Sequence, residues 1–210
     1  LEINAEQWQQ LWIDKVKEQG WQALRFTDEV QILLVKLALL RRHTPELDCP
    51  NWDKEQLIVT VEQWLTPYLS DIRSLKQLRV LNIYQILVDE MDWQLQKKIK
   101  SLCPVQYQTP AGNQRKIDYL APEPKLSVKL QEMFGQPITP SICNGKVPLT
   151  IELLSPAKRP LQLTKDLAHF WQNAYVEVKK EMKGRYPKHP WPDDPVSFIA
   201  TNKTKRQLNK

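Results

Sequence analysis

Glycine is scarce in this sequence, and the positions of its five residues exclude the commonest nucleotide-binding loop. That loop needs Gly-x-x-x-x-Gly-Lys-Ser/Thr, because successive backbone N–H groups surround the phosphates and the final hydroxyl binds the metal ion. Gly145-Lys146 supplies the central dipeptide, but Val147 follows it and no glycine stands five residues before it. No Gly-x-Ser-x-Gly elbow and no acid–base pair is recognisable either. The sequence therefore predicts no catalytic residue and no ATP binding by this chain alone.

Cysteine is also scarce, since Cys49, Cys103 and Cys143 are widely spaced and outside any Cys-x-x-Cys pair. Such spacing fits neither a disulfide framework nor a zinc site. The three histidines do not stand at metal-ligand spacing from cysteines or acids, so no metal site is predicted. Reduced thiols are the simplest interpretation, and they indicate a cytoplasmic protein.

Long apolar runs are missing as well. No stretch approaches the ~20 apolar residues of a membrane-spanning helix, and the first residues lack the basic region of a signal peptide. We therefore expect no membrane segment and no membrane partner.

Positive charge is concentrated in the second half of the chain. Residues 1–100 carry 13 Lys and Arg against 15 Asp and Glu, whereas residues 101–210 carry 17 against 9, a net charge of +8. A basic half is typical of a surface that faces nucleic acid, although it also serves solubility alone.

The predicted fold class is α+β, and its first part is a helical subdomain over residues 1–102. Apolar residues recur there at helical spacing. Gly20 is predicted to end the first helix and Thr27 to N-cap the second. A third helix is predicted over 52–65, and the acidic cluster 89–92 is predicted to lie on the solvent face of a helix.

From residue 103 the apolar period changes from helical to alternating, which predicts a small antiparallel sheet within a domain over 103–196. The strand candidates are 105–109, 116–119, 126–130, 148–154 and 160–163. Thr164 is then predicted to N-cap one long C-terminal helix, with Gly184 just past its end. The basic tail, 197–210, shows no period and is predicted to be flexible.

The stretch 184–195, which we call the strap, has four prolines in twelve residues. Each proline fixes its own φ and restrains the preceding residue, so the backbone is stiff and extended. Tyr186, His189 and Trp191 lie on this stiff backbone, where they either anchor the strap by packing or stack on nucleic-acid bases. Packing is the favoured interpretation, because proline-flanked rings bury large apolar areas.

A basic cluster surrounds the start of the strap. Its members are Lys179, Lys180, Lys183, Arg185 and Lys188. These cations either contact a nucleic-acid phosphate backbone or form a solvated helix face that pairs locally with Glu177 and Glu181.

The second half carries motifs that resemble the C-terminal region of the HrpB family of bacterial DEAH-box ATP-dependent helicases. The motifs are LLSPAKRPLQ at 153–162, DLAHFW at 166–171 and EVKKEMKGRYPKHPWP at 177–192, with IDY at 117–119 and LQEMFG at 130–135. The resemblance is highly specific over 104–195 and looser over the helical half. No Asp-Glu-Ala-His box occurs, so the motor domains of that family are not in this chain.

The resemblance implies a parent ATP-dependent helicase that uses ATP and Mg²⁺ and has RNA as its presumed substrate. This chain would then be an accessory C-terminal module without a cofactor of its own. It would bind RNA or single-stranded nucleic acid weakly and in a salt-sensitive way, dock on the motor domains of the same protein, or do both. The alternative is a protein-interaction module whose nucleic-acid affinity is incidental.

Overall fold

A computed structural model describes residues 4–208. Contacts divide the chain into two compact units, Leu1–Ser101 and Leu102–Lys210. The first is helical, and the second combines strands with helices.

The first unit consists of short helices. They are α1 (Ala5–Gln19), α2 (Asp28–His43), α3 (Lys54–Val59), α4 (Val61–Leu65), α5 (Leu75–Arg79), α6 (Ile83–Asp89) and α7 (Trp93–Leu102), which crosses the boundary by one residue. The predicted signals at the first two helices are confirmed. Gly20 ends α1 with a positive φ of 57°, and the Thr27 side chain accepts a hydrogen bond from the Val30 N–H at the start of α2.

Two predictions in this unit were wrong in detail. The third helix is interrupted at Thr60, whose hydroxyl donates to the Gln56 carbonyl while the backbone leaves the helical region. The acidic cluster 89–92 lies at the junction between α6 and α7 rather than on the solvent face of one helix. Met91 is buried there, and the Asp92 carboxylate accepts from the Leu95 N–H in the first turn of α7.

The second unit is built on a five-stranded mixed sheet with the order β1-β2-β3-β6-β7. The strands are β1 (Gln106–Gln108), β2 (Gln114–Asp118), β3 (Lys125–Lys129), β6 (Thr150–Leu154) and β7 (Pro160–Thr164). β4 (Ser141–Ile142) and β5 (Val147–Pro148) form a separate two-stranded hairpin.

The prediction of an antiparallel sheet holds for three of the four pairings, but β3 and β6 run parallel. Parallel neighbours need a crossover connection. The segment between them supplies it, through a 3-10 turn at Leu130–Met133 and the β4–β5 hairpin.

The predicted single long helix is two helices, α8 (Leu167–Gln172) and α9 (Tyr175–Arg185). Thr164 ends β7, and Asp166 is the N-cap instead, because its carboxylate accepts from the His169 N–H at 2.9 Å. Asn173 separates the helices and donates through its side chain to the His169 carbonyl. Gly184 lies inside α9, which ends at Arg185 with Tyr186 as its C-cap.

Residues 197–208 of the tail make specific contacts with the rest of the second unit. The ring of Phe198 packs edge-to-face on Phe134 with centroids 5.6 Å apart, and the Thr201 N–H donates to the Gln131 carbonyl. A last short helix, α10, covers Lys205–Leu208. These contacts are non-local, so a search for periodicity does not find them.

Candidate nucleic-acid interface

The strap is fixed to its own unit by buried contacts. Trp191 is 8% exposed, and its indole N–H donates to the Tyr186 carbonyl at 3.0 Å. The Tyr175 hydroxyl on α9 donates to the Pro192 carbonyl, and the Gln131 amide donates to the Pro190 carbonyl. Trp191 is therefore buried within its own unit, and the strap is tied by hydrogen bonds to α9 and to the residues after β3.

Gly135 fixes the far end of the strap. Its backbone N–H donates to the Pro195 carbonyl at 2.9 Å, and its φ is +78°. A Cβ atom at this position would lie 3.2 Å from the carbonyl oxygen of Phe198. Only glycine allows both the left-handed backbone and this close approach.

Tyr186 and His189 are half-buried, and their rings meet edge-to-face with centroids 6.4 Å apart. The His189 Nδ1 atom is buried and has no hydrogen-bond partner among residues 4–208. Burial lowers the pKa of His189, and the nearby charge of Lys129 lowers it further. Both effects favour the neutral form of the His189 imidazole.

Two of the five predicted cations are neutralised locally. The ammonium of Lys179 lies 2.6 Å from the Asp193 carboxylate of the strap, and this hydrogen bond lowers the Asp193 pKa. The Arg185 guanidinium lies 3.4 Å from Glu181, one helical turn before it. Lys179 thus ties α9 to the strap, and Arg185 belongs to a surface ion pair.

The other three cations, Lys180, Lys183 and Lys188, are exposed. Among the described residues none of them lies within ion-pair distance of a carboxylate. They are the members of the predicted cluster with charge available to an external anion. The cluster therefore separates into two cations that are paired with carboxylates and three that have no carboxylate partner within residues 4–208.

Sequence reasoning missed the contribution of the tail. The Lys205 N–H donates to the Lys188 carbonyl at 2.9 Å, and the Lys205 ammonium donates to the Pro187 carbonyl at 3.1 Å. Basic residues assigned to a free tail are thus brought to the strap. In the sequence, the basic composition of the tail indicates a charged segment, but composition does not tell where in the fold that segment lies.

The described residues were also compared with what a metal site and a membrane-spanning helix require. No group of three His, Cys, Asp or Glu side chains is arranged there to hold a metal ion. No helix within 4–208 is both long enough and apolar enough to span a membrane.

The comparisons with known proteins agree with the motifs. The family described as ATP-dependent helicase C-terminal matches residues 64–195, so the match begins within α4 of the helical unit. The ATP-dependent RNA helicase HrpB of Escherichia coli (strain K12) is 43% identical over 204 residues, which are 97% of this chain and 25% of that protein.

Solved structures match as well. The crystal structure of E. coli DExH-box NTPase HrpB superposes with a TM-score of 0.90 at 42% identity, over 97% of this chain and 25% of that one. The crystal structure of Escherichia coli DEAH/RHA helicase HrpB gives 0.75 at 41%, over 89% and 24%. The chain thus spans about a quarter of the length of the relatives it matches, and the resemblance seen in its motifs is confirmed.

Proposed function

Since this chain belongs to the family of ATP-dependent helicase C-terminal regions, we propose that it is an accessory module of an ATP-dependent RNA helicase. ATP and Mg²⁺ would then be bound by motor domains of the same protein, because the sequence of this chain has no phosphate loop. The module would contribute contacts with nucleic acid rather than chemistry.

The proposed contact is electrostatic and is made with phosphates. The observation that carries it is the exposure of Lys180, Lys183 and Lys188 without carboxylate partners in residues 4–208, on a helix and a strap that are joined by an ion pair and a hydrogen bond. Lysines at phosphates add affinity that does not depend on base sequence. We therefore expect weak, sequence-tolerant and strongly salt-dependent binding of RNA or single-stranded nucleic acid.

Docking on the motor domains is the second candidate. The observations that favour it are the burial of Trp191, which removes one ring from stacking, and the exposure of Val176 on α9, at 55%. An exposed apolar side chain on the helix that carries the lysines suits a protein partner. A protein-interaction module with incidental nucleic-acid affinity would use the same surface.

The test is a charge reversal, Lys180→Glu with Lys183→Glu. Binding of single-stranded RNA, duplex RNA and single-stranded DNA is measured at two salt concentrations. Removal of one phosphate contact should flatten the slope of log affinity against log salt by ~0.7 on single strands. The decrease in affinity should be equal for unrelated sequences, and the fold should persist because both side chains are exposed.

The matched control is Lys97→Glu with Lys98→Glu, which makes the same charge change at two exposed positions on α7. It should bind RNA nearly as the parent chain does. Unchanged binding by the α9 variant, or a decrease that depends on base sequence, would refute phosphate contact. Docking would then be the better account, and separately purified motor domains of the HrpB relative should retain the chain in a pull-down.

A further inference from the structure

The tail is held near the strap at two places, through Gln131 and through Lys205. Gln131 follows β3 closely. Its side-chain amide donates to the Pro190 carbonyl of the strap at 3.3 Å, and its own carbonyl accepts from the Thr201 N–H of the tail at 3.1 Å. The two hydrogen bonds from Lys205 to Pro187 and Lys188 close the other end. The strap, the tail and the residues after β3 are therefore joined by hydrogen bonds, and we call the outside of this part of the second unit the strap–tail surface.

This strap–tail surface collects cations from three separate segments. They are Lys129 at the end of β3, Lys188 of the strap, and Lys203, Lys205 and Arg206 of the tail. Three of them, Lys203, Lys205 and Arg206, are exposed residues beyond position 195, where the family match ends.

No carboxylate compensates these charges in the part of the chain that the structure describes. Within 4–208, none of the five cations is within ion-pair distance of an acid. The two acids of the strap are occupied elsewhere, Asp193 by Lys179 and Asp194 by the N–H groups of Val196 and Ser197. Exposed cations without carboxylate partners attract an external anion.

The half-buried rings of Tyr186 and His189 lie within the same surface. His189 follows Lys188 directly, and Tyr186 precedes Pro187, the residue whose carbonyl accepts from Lys205. Cations that track a backbone, combined with partly exposed rings, are the combination by which proteins bind single-stranded nucleic acid. An acidic protein partner would use the cations and leave the rings without a role.

We propose that the strap–tail surface binds the phosphate backbone of single-stranded RNA, with Lys188, Lys205 and Arg206 as the main contacts and Tyr186 beside the bases. This inference rests on the proposed function and adds a second contact to it. It extends the phosphate contact from the face of α9 across the strap to the tail, a segment outside the matched family region.

The test is the double variant Lys188→Glu with Arg206→Glu, which leaves the Lys205 hydrogen bonds in place. Fluorescence anisotropy with single-stranded oligo(U) and oligo(A) is measured at two salt concentrations. Removal of two phosphate contacts should flatten the log–log salt slope by about 1.4 and weaken binding by at least about tenfold at low salt, equally for both oligomers. The neutral pair Lys188→Gln with Arg206→Gln should show the same direction with a smaller decrease.

The matched control is Lys158→Glu with Arg159→Glu, an exposed pair on the turn between β6 and β7. It carries the same charge change and should bind RNA almost as tightly as the parent. Thermal melting followed by circular dichroism establishes that each variant is folded. If the glutamate pair is unfolded, the glutamine pair decides the outcome.

The proposed function and this inference are refuted by different results. If the parent chain binds no RNA at either salt concentration, the proposed function fails, and this inference fails with it. If RNA binding is abolished in the α9 variant but kept in the strap–tail variant, this inference alone is overturned. It is also overturned if polyglutamate, at equal charge concentration, displaces oligo(U) as well as RNA does, because an acidic polypeptide is then the fitting partner.

Discussion

The guanidinium of Arg115 on β2 donates hydrogen bonds to both oxygens of the Glu132 carboxylate, with Nε 2.8 Å from Oε2 and Nη2 2.6 Å from Oε1. Glu132 is completely buried, while the Arg115 side chain is about one-third exposed. The pair connects the sheet to the 3-10 turn that also contains Gln131, and through it to the strap and the tail. The ion pair therefore contributes to stability and also positions the turn that contacts the strap and the tail.

Arg115→Ala should lower the free energy of unfolding by about 3 kcal/mol, because it leaves a buried carboxylate without its partner. Arg115→Lys should not rescue it, since an ammonium cannot make both hydrogen bonds in the same fork geometry. Urea denaturation measures both. Arg159→Ala, at an exposed position, is the control and should change the unfolding free energy by less than about 0.5 kcal/mol. Equal stability of Arg115→Ala and the parent would contradict the role given to this pair.

Trp191→Ala should destabilise the second unit by ~3 kcal/mol, because a buried ring is replaced by a cavity. Trp191→Phe should cost less, about 1 kcal/mol for the missing hydrogen bond to the Tyr186 carbonyl plus a packing penalty. The order of the three melting temperatures checks this. A melting temperature that does not change in the alanine variant would mean that the indole is free for a partner.

His189 should make the second unit less stable as the pH falls. Burial, aided by the charge of Lys129, lowers the pKa of His189 in the folded chain, whereas in the unfolded chain His titrates at about 6.5. The unfolded state then binds more protons below that pH, so the contribution to stability is complete above about 6.5 and is lost as the pH falls through the folded pKa.

Denaturation at a series of pH values, for the parent and for His189→Asn, measures this effect. The parent should lose stability more steeply between neutral and mildly acidic pH than the variant does. Parallel curves would show that His189 does not carry the dependence.

Cys103 and Cys143 are expected to form a disulfide on mild oxidation. Their sulfur atoms lie 3.6 Å apart and both residues are fully buried. The Cys103 hydrogen bond lowers the pKa of the Cys143 thiol, which favours the reactive thiolate. With hydrogen peroxide, the two thiols lose two hydrogens and the peroxide is reduced to water.

Peptide mapping by mass spectrometry should find Cys103 joined to Cys143 and Cys49 reduced. Reaction should be slow, because burial requires a local opening before the oxidant arrives. Cys103→Ser is the control and should leave Cys143 without an intramolecular partner. A bridge that involves Cys49 in the folded chain would contradict the geometry.

Local chemistry allowed much of this fold to be predicted from the sequence. Thr27 and Gly20 act through bonds made within a few residues, so their roles can be inferred without tertiary information. The hairpin of β1 and β2 follows from alternation on both sides of a turn, and the structure confirms it. Burial of Trp191 agrees with the stiffness that its neighbouring prolines impose.

The features that the sequence did not predict depend on distant partners. Asp166 rather than Thr164 caps α8, and both residue types are good N-caps, so propensity cannot choose between them. The parallel pairing has no local signature because its crossover contains only a 3-10 turn and a small hairpin. Lys179 and Arg185 look like free cations until their carboxylate partners are placed in space.

The parallel pairing of β3 with β6 also governs when the second unit can assemble. Ser127 pairs with Glu152, so the interior of the sheet cannot close until the whole crossover has been synthesised. β7, which completes the sheet, and the strap come later still in the chain. On the ribosome, the local helical contacts of the first unit form early, whereas the second unit waits for a distant strand. During that interval the unpaired edge of β3 is the part of the chain most exposed to wrong partners.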